Sequence, residues 1–232
     1  MLTALVVSGI VSGALVVGAA WGAIGPLPDR LQGFLVALAG GSLVLSLVTE
    51  LIQPSVDEST VWLVAAFLAF GALVFTGVDY LVDEKWGSDS GGGLLAAISL
   101  DGLPENLALG VALIGVGPKE VAALAGSILL SNLPEAAGGA KQMVDNGRGR
   151  RSVLGLWSAT AVILSVAALV GYFALDSAPE EVLAAVRSFA AGAVVASLAT
   201  EVFPTAYRED QHLAGVATTL GLILALLLGQ LA

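Results

Sequence analysis

The chain has 232 residues, 57% of them hydrophobic and only 12% charged. Soluble domains carry about 25% charged residues, and a mean hydropathy of +0.93 points instead to an all-α polytopic membrane protein. The chain has no cysteine, which excludes disulfides and thiolate metal sites. Net charge is −10, and the only basic cluster is Arg148, Arg150 and Arg151, so nucleic-acid binding is not expected.

Eight transmembrane helices are expected, at about 2–24, 31–52, 61–82, 94–115, 120–144, 153–175, 182–203 and 213–231, forming one transporter domain over 1–232. Each is near 20 residues, enough to cross roughly 30 Å of hydrocarbon. Helices are the default because backbone polar groups in lipid must be satisfied internally. The first stretch carries no charge and lacks a basic n-region, so it reads as a span and not as a signal peptide. Gly9 with Gly13, and Gly18 with Gly22, suit close helix packing on it. Gly25 to Asp29 breaks the chain, Pro54 to Thr60 reads as a polar turn, and 83–93 reads as a flexible loop. Gly117-Pro118 is a further turn, and 145–151 and 208–212 are polar loops.

Basic residues set the orientation. Arg30, Lys85, Lys141, Arg148, Arg150, Arg151 and Arg208 fall on one side, whereas Lys119 and Arg187 fall on the other. The first side is expected to be cytosolic and both termini outside, in a cell membrane.

Two stretches repeat in register. Gly41, Ser46, Leu47, Thr49 and Glu50 match Gly192, Ser197, Leu198, Thr200 and Glu201, and a proline follows each, Pro54 and Pro204. The two spans run in opposite directions, so helices 1–3 and 6–8 are expected to form an inverted repeat around a central helix 4/5 pair. Glu50 then sits near the outer face and Glu201 near the inner. Two readings stand for them: entrance and exit carboxylates for cations, or solvated helix ends with no specific task.

The central pair carries the unusual chemistry. Leu100-Asp101-Gly102-Leu103-Pro104-Glu105-Asn106 returns, altered, as Leu130-Ser131-Asn132-Leu133-Pro134-Glu135-Ala136. Asp101 and Glu105 share one helix face, as do Ser131 and Glu135. Because the spans are antiparallel, Asp101 and Glu135 reach similar depth, and Glu105 falls level with Ser131. Each proline removes one N–H and disrupts the bond to the carbonyl four residues back, at Leu100 or Leu130. Asn106 and Asn132 add amide oxygens. An intramembrane carboxylate costs about 2.5–3.5 kcal/mol unless paired or solvated. No Lys or Arg stands near these three, so a cation or protons must neutralise them. The alternative is a protonated carboxyl pair that specifies helix packing.

These motifs resemble those of the ZIP (Zrt/Irt-like) family of divalent-metal transporters. Pro104-Glu105-Asn106-Leu107-Ala108-Leu109-Gly110 is similar to the family's Pro-Glu-Gly-Leu-Ala-x-Gly segment, and Leu133-Pro134-Glu135-Ala136 to its second motif. The resemblance implies eight spans, outward termini and metal uptake into the cytosol through a site bridged by Glu105 and Glu135. Asp101 stands where the family has its first histidine, Gly102 replaces an asparagine, and Ser131 replaces a polar ligand. Gly102 thus offers no side chain to a second, flanking metal. The lone His212 lies in a loop and reads as solvated.

The expected metal ligands are therefore Asp101, Glu105, Ser131, Glu135, Asn132 and Asn106. Zinc usually takes nitrogen and sulfur, though carboxylates do bind it, and an all-oxygen set suits manganese, magnesium or calcium better; iron(II) stays open, and the sequence does not name the metal. The expected function is transport of a divalent cation of the zinc, iron or manganese class, with no prosthetic group. The alternatives are a carrier of protons or another cation, and a metal-binding membrane protein that does not transport. An enzyme is not expected, since no acid dyad, Ser-His or Cys-His pair is available. The expected partners are the lipid bilayer and divalent metal ions, and small-residue faces allow a homodimer without demanding one.

Overall fold

The computed structural model describes residues 2–86, 91–117 and 119–230. The side chains of residues 83, 85, 86, 91–98 and 101 also lie outside the described set. The chain is all-helical: α1 (Leu2–Ile24), α2 (Asp29–Leu47), α3 (Gln53–Glu58), α4 (Val61–Trp86), α5 (Gly91–Ala112), α6 (Ala122–Asp145), α7 (Arg150–Leu175), α8 (Glu180–Ser197), α9 (Phe203–Glu209) and α10 (Ala214–Gln230). Among the described residues, five stretches are long and apolar enough to span a bilayer: Leu2–Ile24, Asp29–Glu58, Val61–Val82, Arg150–Leu175 and Glu180–Glu209. Outward-facing side chains such as Trp62, 82% exposed, and Leu73, 72% exposed, are apolar. In water that surface would be unfavourable; against acyl chains it is the expected one. The chain is a membrane protein.

Several boundaries differ from the sequence expectation. The 54–60 stretch is not a turn, because α3 continues the second span as far as Glu58. Pro54 sits in the first turn of α3, where its missing N–H is cheap. The expected loop at 83–93 is shorter: α4 runs to Trp86 and α5 begins at Gly91. Lys85's side chain, counted for the orientation, and Pro118 of the expected turn lie outside the described residues. Arg187 is not at a helix end. It is buried within α8 and its Nη1 donates to Glu58 Oε2 at 2.6 Å, tying α3 to α8.

The segments Asp29–Glu58 and Glu180–Glu209 are built alike. Each begins after a proline in extended conformation, Pro28 or Pro179, followed by an acid in the first turn. Carboxylates there complement the helix dipole. Each then widens into one π-turn, Val48–Ile52 or Leu198–Val202. The Gln53 N–H donates to the Val48 carbonyl, and the Phe203 N–H to the Leu198 carbonyl, five residues back. Glu50 and Glu201 sit on these turns, and Thr49 and Thr200 return their hydroxyls to the carbonyls of Leu45 and Ala196. A π-turn inserts one residue into the helical pitch and re-aims the side chains around it, a device found often at functional sites.

Packing is by bare glycine against backbone. Gly41 of α2 lies against the Thr218 carbonyl of α10, and Gly221 against that of Leu38. In the matching register, Gly192 of α8 lies against the Leu68 carbonyl of α4, and Gly71 against that of Phe189. Likewise Gly22 of α1 meets the Ala137 carbonyl of α6, and Gly171 of α7 meets that of Leu107 on α5. Without a hydrophobic drive between helices in lipid, such close approach is what maximises van der Waals contact. Gly18 and Gly22 serve in this way, whereas Gly9 and Gly13 face open space.

The main neighbours are therefore α1 with α6, α2 with α10, α4 with α8 and α5 with α7. The central pair differs from expectation here: α5 and α6 touch each other only sparingly, and are held apart by their separate partners. A buried cluster of three serines crosses from α2 to α6. Ser127 Oγ lies 2.5 Å from Ser42 Oγ and 2.7 Å from Ser46 Oγ, and donates to the Ala123 carbonyl at 2.7 Å.

Candidate functional site

A cavity of about 190 Å³ lies against α6, walled by α2 and by the stretch from α8 to α9, with Glu105 of α5 reaching into its lining. It gathers Glu105 from α5, Ser131 and Glu135 from α6, and Glu201 from the second π-turn. Glu105 is only 8% exposed and Ser131 only 6%, whereas Glu135 and Glu201 are half-buried. Sequence spacing explains the α6 side of the wall. Ser131, Glu135, Gly138, Gly139 and Gln142 recur at three- and four-residue intervals and so share one helix face. Both prolines of the paired motif lie inside unbroken helices, and Pro134 lines the cavity.

The expected ligands divide into three groups. Glu105, Ser131 and Glu135 come together, and Glu201 joins them in the same cavity and not at a separate inner mouth. Asn106 and Asn132 do not line the cavity. Asn106 is fully buried, donates through Nδ2 to the Gly102 carbonyl at 2.9 Å and accepts from Ser12 Oγ at 3.5 Å. Asn132 donates through Nδ2 to the Val11 carbonyl at 2.9 Å. Both amides bolt the central helices to α1. Glu50 is half-buried on the first π-turn, beside Thr49, and is not among the residues lining the cavity. Asp101 belongs to α5, but its side chain lies outside the described residues.

A second cavity, of about 310 Å³, adjoins the first. Its rim carries Asp29, Lys141, Asp145, Arg208 and Glu209, with Lys141 Nζ 2.5 Å from Asp29 Oδ1. It lies at the end of the bundle where α2 and α7 begin and where α6 and α9 finish. This is the end that bears Arg148, Arg150 and Arg151. Four residues line both cavities: Gln32, Gly138, Gln142 and Thr205. The first cavity thus adjoins one that lies at an end of the bundle. The sequence reading singled out none of these four. Gln142 was the most findable, being seven residues beyond Glu135 on the same face.

Chemically, the cavity offers carboxylate and hydroxyl oxygens in an apolar surround. Oxygens of these kinds are the donors that hard cations accept, and neighbouring carboxylates can share protons. Among the described residues, no three His, Cys, Asp or Glu side chains are grouped closely enough to hold a metal ion. In comparison with known proteins, no protein-family model matches the chain and no curated protein matches its sequence.

Proposed function

We propose that the protein is a secondary carrier of divalent metal cations, built as an eight-span transporter of the kind its Leu-Pro-Glu motifs resemble. The observation that carries this reading is the cavity lined by Glu105, Ser131, Glu135 and Glu201, adjoining a second cavity at one end of the bundle. Carboxylates at that depth are costly in lipid and are retained where they line an ion path. Helices 1–3 and 6–8 act as an inverted repeat, a reading supported by the paired π-turns and the matching glycine contacts of α2–α10 and α8–α4. The end with the second cavity faces the cytosol, following the clustered arginines, and both termini face outward. Transport runs into the cytosol, and the oxygen ligands favour manganese or iron(II) over zinc.

A second reading, a proton or sodium carrier on the same scaffold, is favoured by the absence of histidine from both motifs. Purified protein in proteoliposomes separates the two. The metal-carrier reading expects saturable uptake of Mn²⁺ or Fe²⁺ with no dependence on sodium as cargo. Proton or sodium flux without any metal uptake would sink it.

A further inference from the structure

We propose that Gln32, Gln142 and Thr205 form a neutral release neck that sets the rate at which a divalent cation leaves the carboxylate site. The inference rests on the transport reading above and concerns a different part of the path.

The three side chains occupy the only stretch that both described cavities share. On one side stand Glu105, Glu135 and Glu201; on the other stand the charged groups Asp29, Lys141, Asp145, Arg208 and Glu209. The neck between them carries no charge. Gly138 completes it: the Gln32 side-chain amide lies directly over this glycine, so close that a Cβ there would collide with Nε2. The bare backbone is what lets the Gln32 amide enter the passage. Gln142 lies one turn beyond Gly138 on the same face of α6 and is exposed, whereas Gln32 is half-buried. Exposure therefore rises along the path from Glu105 through Gln32 to Gln142.

A neutral neck has a definite effect on a divalent ion. The buried carboxylates bind it by charge, and a further carboxylate in the neck would prolong its stay. A cation in the neck would repel it. Amide carbonyls and a hydroxyl instead replace the carboxylates by weaker oxygen ligands, or accept hydrogen bonds from water on the metal. Conduction requires binding that is strong enough to enter and weak enough to leave. The same ligand chemistry favours oxygen-preferring ions, Mn²⁺ among them, over ions that demand nitrogen or sulfur.

The test is Mn²⁺ uptake into proteoliposomes by the full chain, read as initial rate against concentration. In the double variant Gln32→Leu with Gln142→Leu, the maximal rate is expected to fall at least about tenfold while KM stays within about threefold, because a step after binding is slowed. Gln142→Glu, at an exposed position, is expected to lower the maximal rate comparably by holding the ion. Maximal rates within about twofold of wild type in these variants would overturn the neck and leave the transport reading standing. If the leucine pair is not recovered folded, Gln142→Glu decides alone on the same thresholds. A wild-type protein that binds Mn²⁺ but moves none would overturn the transport reading and the neck with it.

Discussion

Replacing Glu105 and Glu135 together by glutamine is expected to abolish divalent-metal uptake, and each single replacement to weaken metal binding by roughly 10- to 100-fold. That range corresponds to about 1.5–3 kcal/mol for one charge-assisted contact. Both carboxylates line the same cavity, from α5 and from α6, so on the proposed function both are expected to act on one ion. Glutamine keeps the shape of each side chain, removes its charge and exchanges one acceptor oxygen for an N–H donor. The fold should survive, because α5 and α6 are held mainly by α7 and α1 and not by contact with each other. Titration calorimetry with Mn²⁺ on purified protein measures the single variants, and proteoliposome uptake measures the pair. Uptake by the double variant within twofold of wild type would remove these residues from the path.

The second large effect is on the fold. Gly41→Ala and Gly192→Ala are each expected to destabilise the protein by about 1–3 kcal/mol. The larger replacements Gly41→Leu and Gly192→Leu are expected to prevent recovery of a monodisperse species. In each case the new Cβ would strike a backbone carbonyl, Thr218 on α10 or Leu68 on α4. Backbone cannot turn aside as a flexible side-chain tip can, so the two helices must separate. The two losses should be similar, because the same contact is made in both halves of the chain. Gly9→Ala is the contrast. Nothing lies within 4 Å of a Cβ at Gly9, and alanine gains about 0.8–1 kcal/mol of helix propensity over glycine. Thermal unfolding in detergent, followed by size-exclusion fluorescence, ranks the set. Equal melting of Gly41→Ala and Gly9→Ala would contradict the packing account.

What could be read from the sequence was whatever carries an unusual cost or an identical residue. Glu105 and Glu135 stood out because carboxylates in apolar spans are expensive, and the cavity contains both. The kinship of the stretches ending at Glu50 and Glu201 was visible in shared Gly, Ser, Leu, Thr and Glu. The π-turns beneath those glutamates were not visible. One added residue per turn leaves the apolar pattern almost unchanged, and Pro54, which looked like a stop, is tolerated in the first turn of α3. Asn106 and Asn132 show a different limit. An amide in an apolar helix reads equally as a ligand or as a bolt, and only the neighbour decides. Here the neighbour is α1, through Ser12 and the Val11 carbonyl. Gln32, Gln142 and Thr205 passed unnoticed because neutral polar residues near helix ends are ordinary. Their place between two cavities depends on α2, α6 and α9 meeting in space. For Arg187 the sequence marks only a side of the membrane; its burial within α8 and its bond to Glu58 depend on α3 lying beside α8.

On the proposed function, one divalent cation is held by Glu105 of α5 and Glu135 of α6. Crystals soaked in Mn²⁺ and measured above the manganese absorption edge test it directly. The account predicts an anomalous difference peak between the carboxylates of Glu105 and Glu135, within coordination distance of both. No peak at that position, whether or not manganese appears among the charges of the second cavity, would contradict it.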